Sequence, residues 1–80
     1  RVVAAADLDA AVAHFTGTIK AKSARIVALG KRAFYQQIDR ALPGAYELTG
    51  EVMACNLLDP DAAEGIDAFL GKRPAAWRPA

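Results

Sequence analysis

Apolar positions recur along this chain with a helical period. Leu8, Val12, Phe15, Ile19 and Lys22 follow one another at steps of four, three, four and three, so one helical face is apolar until its last member. Asp7 stands before this run as a helix cap, and Asp9 adds negative charge to the first turn. Lys20 and Lys22 suit the negative end of the same helix. Ser23 is placed to cap a second helix, on which Val27, Gly30, Phe34 and Ile38 form one stripe. Glycine costs a helix interior about 1 kcal/mol relative to alanine. Gly30 is therefore expected where another backbone crosses closely. Pro43-Gly44 ends the segment and opens the next helix, with proline in the first turn, where its missing N–H is harmless.

The third helix carries two adjacent apolar stripes. Tyr46, Thr49, Met53 and Leu57 form one, and Ala45, Leu48, Val52 and Cys55 form the other. Two stripes imply contact on more than one side. A fourth helix opens at Asp59-Pro60-Asp61, where aspartate caps, proline takes the first helical position, and Asp61 and Glu64 face the positive end of the dipole. Ala62, Ile66, Phe69 and Leu70 are expected to supply its buried face, and Gly71 its stop. The expected organisation is a single all-α unit over residues 1–80. Its helices lie at about 7–22, 24–39, 43–57 and 60–70, and an irregular tail at 74–80 holds a Trp77 that needs something to pack against. Arg1-Val2-Val3 reads as the end of a strand with nothing before it.

Composition sharpens the picture. Of 80 residues, 54% are hydrophobic, and mean hydropathy is +0.12. A chain this short buries only roughly 60% of its unfolded surface, so this is more apolar surface than it can easily hide alone. With the strand-like start and no leading Met, this favours a piece of a larger body over a self-sufficient protein. Net charge is +1 with cations spread along the chain, which argues against a nucleic-acid partner. No apolar run approaches the roughly 20 residues a membrane span needs. A single cysteine, Cys55, rules out a disulfide within the chain; it suits a reducing, cytoplasm-like compartment and reads as a small buried residue. No Cys/His spacing suggests a metal.

The stretch Asp61–Trp77, DAAEGIDAFLGKRPAAW, resembles the C-terminal signature of the enoyl-CoA hydratase/isomerase (crotonase) family, with Asp61, Glu64, Gly65, Ala68, Phe69, Lys72, Arg73 and Trp77 at matching positions. Leu29–Asp39 and Glu51–Leu58 resemble the two preceding helices of that family. The resemblance implies a four-helix C-terminal region of a crotonase-like ββα spiral fold whose core lies outside this chain. It implies a subunit-contact role in a homotrimer or a hexamer, packing against the N-terminal core. It also implies an acyl-CoA pocket to which Lys72 brings a cation for CoA phosphate, with Met53 and Phe69 as apolar contacts. Met53 departs from the family, where an aromatic often lies near the adenine. CoA thioester would be the substrate, with no resident cofactor.

The implied parent hydrates or isomerises a 2-enoyl-CoA in fatty acid metabolism. That chemistry needs carboxylates working on a bound water and two backbone N–H groups stabilising a thioester enolate. The Gly-rich segments that would supply those amides are not in these residues, so the chain is expected to hold no catalytic residue and to be inactive alone. Simpler readings stand beside this one. Lys72 and Arg73 suit a helix C-terminus as solvated cations. Glu47 and Glu51, four apart, read as a solvated face, Glu64 as a dipole partner, His14 as a surface residue, and Gly65 as a close-packing site. The alternative function is an independent, non-catalytic helical protein-interaction module that binds through the third helix.

Overall fold

The computed structural model describes residues 1–79, and among them every regular element is helical. A short 3-10 turn, Ala5–Asp7, runs into α1, Leu8–Lys20. α2 spans Ala24–Gln37, α3 Leu42–Asn56 and α4 Pro60–Leu70. Arg1–Ala4 is irregular and forms no strand, which corrects the strand-end reading: extended backbone becomes a strand only beside a partner.

Helix ends follow local chemistry. Asp7 belongs to the 3-10 turn and makes no side-chain cap bond, so α1 starts uncapped. α1 closes at Lys20 rather than Lys22, because Ser23 must leave helical geometry to cap α2; its Oγ accepts the Ile26 N–H at 3.3 Å. α2 ends at Gln37, with Ile38 as its C-cap. α3 starts one residue before Pro43, behind an Ala41 with no side chain able to cap. Asp59 caps α4 by accepting the Asp61 N–H at 2.9 Å, with Pro60 at the first helical position.

The molecule measures 45 × 35 × 22 Å, and its radius of gyration is 16.1 Å, against about 12 Å for a compact domain of this length. Its accessible surface is 6507 Å², where a folded monomer of this mass exposes about 4,700 Å². Among the described residues only Ser23, Asp61 and Ala68 are buried. α2 and α3 are the two helices that pack together. Their half-buried positions are Ile26, Leu29, Ala33 and Gln37 on α2, and Gly44, Ala45, Leu48, Thr49, Val52 and Asn56 on α3.

The α2 stripe turned inward is therefore displaced from the expected one. Phe34 and Ile38 stay about half exposed, and no neighbouring backbone approaches Gly30. On α3 and at its C-cap, Tyr46, Met53 and Leu57 remain exposed, and so does Cys55, which was expected to be buried. On α4 the expected buried face is reversed at its end: Phe69 and Leu70 are 83% and 73% exposed, and Ala68 is the residue covered. A helix with two apolar sides can turn only one of them to its own chain.

Candidate functional site

The most organised region lies where the first turn of α4 meets the start of α2 and the C-terminal tail. Three carboxylates face this junction, the capping Asp59 and Asp61 and Glu64 of α4, and each is fully engaged. Asp61 is 2% exposed. It accepts the Ser23 hydroxyl at 2.5 Å and the Arg78 N–H at 3.1 Å, with the Arg78 guanidinium 3.5 Å away. These contacts, the Ser23 hydroxyl foremost, hold its carboxyl below the ordinary aspartate range. Asp59 accepts the Asp61 N–H, both Nε and Nη2 of Arg25 at 3.2 and 2.9 Å, and Arg78 Nη2 at 3.1 Å. The Asp61 N–H and the Arg25 guanidinium together lower its pKa.

Glu64 forms the third anchor. Arg73 meets it with Nη1 at 2.6 Å and Nη2 at 3.3 Å, and the Ala76 N–H donates to it at 2.9 Å. The guanidinium first, then the amide, pull the Glu64 carboxyl down to about 2 from an ordinary 4.5. Glu64 is thus a structural anchor for the tail rather than a mere dipole partner, and Arg73 is an engaged cation rather than a solvated one. Trp77 completes the junction. Its Nε1 donates to the Ala21 carbonyl at 2.8 Å, and its ring lies where a Cβ on Gly65 would come within 3.3 Å of it. A side chain at residue 65 would crowd the ring, which would have to give by a few tenths of an ångström.

Beside this junction opens a groove of about 560 Å³, bounded by Ile26, Val27, Leu57, Ile66, Phe69 and Leu70, with Ser23, Asp61 and Trp77 also on its lining. Of the residues expected to meet CoA, Phe69 lines this groove, while Lys72 and Met53 do not. Met53 lies on α3 and is 58% exposed. Lys72 follows α4 and has φ 50, the only left-handed non-glycine residue among those described. Gly71, the expected stop, is the C-cap and keeps right-handed geometry at φ −79. The Lys72 N–H bonds to the Phe69 carbonyl at 3.3 Å and the Arg73 N–H to the Ala68 carbonyl at 3.0 Å. Together these make a Schellman turn with lysine in the position glycine usually takes, at a cost of about 1 kcal/mol.

The three anchoring carboxylates have their oxygens filled by protein donors, so none is free to act as a general acid or base. Among the described residues no group of three or more His, Cys, Asp or Glu is placed to hold a metal, and no helix is long and apolar enough to cross a membrane. His14, Glu47 and Glu51 are exposed and have no hydrogen-bond partner for their side chains among the described residues. Sequence reasoning did not foresee the joining of Ser23, Arg25, Asp59, Asp61 and Arg78. The only signals available were the paired acids Asp59 and Asp61 and a cation in the tail.

No protein-family profile matches the chain. The chain is 40% identical over 77 residues to the human enoyl-CoA hydratase domain-containing protein 3, mitochondrial, a match that covers 96% of this chain and 25% of that protein. It is 37% identical over 76 residues to the 1,4-dihydroxy-2-naphthoyl-CoA synthase of Mycolicibacterium smegmatis, covering 95% of this chain and 24% of that one. Among solved structures, the enoyl-CoA hydratase of Mycobacterium smegmatis superposes with a TM-score of 0.90 at 45% identity, over 96% of this chain and 30% of that chain. The chain spans about a quarter or less of the length of the curated relatives it matches.

Proposed function

Because the chain corresponds to the C-terminal helical region of the enoyl-CoA hydratase/isomerase (crotonase) family, we propose that it forms one wall of an acyl-CoA pocket and a subunit-contact surface in an enzyme of that family. The parent reaction we favour is hydration or isomerisation of a 2-enoyl-CoA thioester in fatty acid metabolism. Catalytic groups would come from the spiral core. CoA enters as the carrier of the substrate, not as a resident cofactor. The apolar faces of α1, α2 and α3 would be covered by that core and by identical subunits in a trimer or hexamer. A reducing compartment, cytoplasm or mitochondrial matrix, suits the exposed thiol of Cys55.

The observation that carries the pocket role is Lys72. It is a cation in a strained turn, has no ion-pair partner among the described residues, and lies three residues beyond an almost fully exposed Phe69. Backbone strain persists where the surrounding structure fixes it, and such positions cluster at ligand-binding turns. A lysine meets phosphate as a point charge, and an exposed phenylalanine offers an apolar surface beside it. The independent interaction module is disfavoured, since the relatives carry this same segment within longer chains.

The test is binding of butyryl-CoA, which has no double bond to react, against butyryl-pantetheine, which lacks the nucleotide. In the intact protein, Lys72→Ala should weaken the CoA ester about tenfold, the loss of one charge-assisted contact. It should leave the pantetheine ester within about twofold. Equal losses for both esters, or no loss, would remove Lys72 from the phosphate role.

A further inference from the structure

Nothing in residue 72 itself explains its left-handed backbone. The neighbouring Gly71 could take that conformation without strain, and the turn would then close one residue earlier. Yet Gly71 stays right-handed and Lys72 does not. The choice of register must come from outside the two residues. Upstream, α4 fixes the chain as far as Leu70. Downstream, Arg73 is tied by two nitrogens to Glu64, and the Ala76 N–H is tied to the same carboxylate. Glu64 therefore holds the segment after Lys72 at two points. An earlier closure would carry Arg73 away from Glu64.

We propose that Glu64 is a positioning residue for Lys72: by clamping Arg73 and the Ala76 amide it selects the turn that sets Lys72 in left-handed geometry, and so aims the lysine ammonium at the CoA phosphate. The inference rests on the phosphate role proposed for Lys72 and deepens it. Two features support the clamp. The bidentate arginine contact fixes direction as well as distance. The same pair fills the Glu64 carboxylate, and Lys72 has no ion-pair partner among the described residues. Glu64 thus both places the lysine and keeps Arg73 from competing for the phosphate.

A mutant cycle in the intact protein separates positioning from general support. Four forms are compared: wild type, Lys72→Ala, Glu64→Ala and the double variant. The quantity read is the ratio of dissociation constants for butyryl-CoA and butyryl-pantetheine. Glu64→Ala should raise that ratio about fivefold to tenfold, and the double variant should match Lys72→Ala alone, since a positioning residue has nothing left to position. Losses that multiply in the double variant would overturn the inference, and so would a Glu64→Ala loss equal for both esters. Should Glu64→Ala fail to fold, Glu64→Gln serves in its place, because it keeps an acceptor for Ala76 and weakens only the arginine contact. If Lys72→Ala alone leaves the ratio unchanged, the lysine reading fails first and the clamp's purpose goes with it. If Lys72→Ala raises the ratio and the Glu64 variants do not, only the positioning role is lost.

Discussion

At the junction of α4, the start of α2 and the tail, buried side chains are polar and every anchoring carboxylate is met by donors from elsewhere in the chain. Along α1 the reverse holds: Leu8, Val12, Phe15 and Ile19 are each more than half exposed and meet little. The α1 face is patterned for burial, whereas the acids of the junction read from the sequence only as caps and dipole partners. They differ in what their contacts require. Hydrogen bonds and ion pairs have fixed partners and directions, so the junction closes within the chain. Apolar burial is non-directional and grows with area, so α1 and the outward sides of α2 and α3 suit whatever matching surface is brought to them. The fold thus divides into a self-contained polar lock and a set of apolar faces open to another body.

Acid should affect the two regions most differently. Asp59, Asp61 and Glu64 all have lowered pKa values in the folded chain. A carboxyl with a depressed folded pKa contributes stability above its unfolded value and loses it as pH falls through the folded value. For Glu64 that window runs from 4.5 down to about 2; the aspartates begin to lose theirs below 3.8. The tail should therefore detach progressively between those limits, as followed by the Trp77 indole N–H resonance. The α1 face, formed by side chains that do not titrate, should show no transition of its own there. Docking that does not weaken at all between pH 4.5 and about 2 would mean that Glu64 does not hold the tail.

Next in size comes removal of the ring that closes the lock. Trp77→Ala loses both the packing on Gly65 and the bond to Ala21. The ring is only partly buried, so the cost should be about 2–3 kcal/mol, below that of a fully buried aromatic. Hydrogen exchange at the Ala76 and Arg78 amides, which are bonded to Glu64 and Asp61, should then quicken roughly 30- to 150-fold. Phe15→Ala in the 80-residue chain should leave those rates unchanged and cost under about 0.5 kcal/mol. In the intact protein the same Phe15 change should cost several times more if α1 is covered as proposed. An equal, small effect in both would leave the α1 face without a cover.

The sequence made the helices legible because each carries its own period and, in two cases, a true cap. Ser23 and Asp59 cap as expected, and Pro60 and Pro43 lie in first turns. Which apolar face turns inward was not legible. Val27, Phe34 and Ile38 are as well spaced for burial as Ile26, Leu29 and Ala33, and only the placement of α3 decides between them. The junction was hidden for a different reason. Ser23 and Asp61 are 38 residues apart, and no local pattern says that a cap on one helix will also donate to a carboxylate on another. The C-terminal signature did point to Glu64, Gly65, Arg73 and Trp77, yet their mutual contacts came only with the tail's path back along α4. Gly71 stops α4 as its composition suggests, but the left-handed turn is held one position later, at Lys72, which no local pattern announces.

That displaced turn yields the smallest predicted effect and the one with opposed signs. Lys72→Gly puts an unstrained residue at φ 50. Glycine has greater freedom in the unfolded chain, which offsets part of the gain, so the net stabilisation should be about 0.5–1 kcal/mol. Lys72→Ala keeps a Cβ in the strained position and should gain nothing. The two variants remove the same charge, so both should weaken butyryl-CoA about tenfold if the lysine meets phosphate. Denaturation midpoints would separate glycine from alanine, while the ester affinities should not. A lysine that lowers stability where it stands, yet supports nucleotide binding, would place the strain on the side of function. Should glycine bring no gain over alanine, the left-handed turn would carry no strain, and the case that Lys72 is held against its own preference would fall.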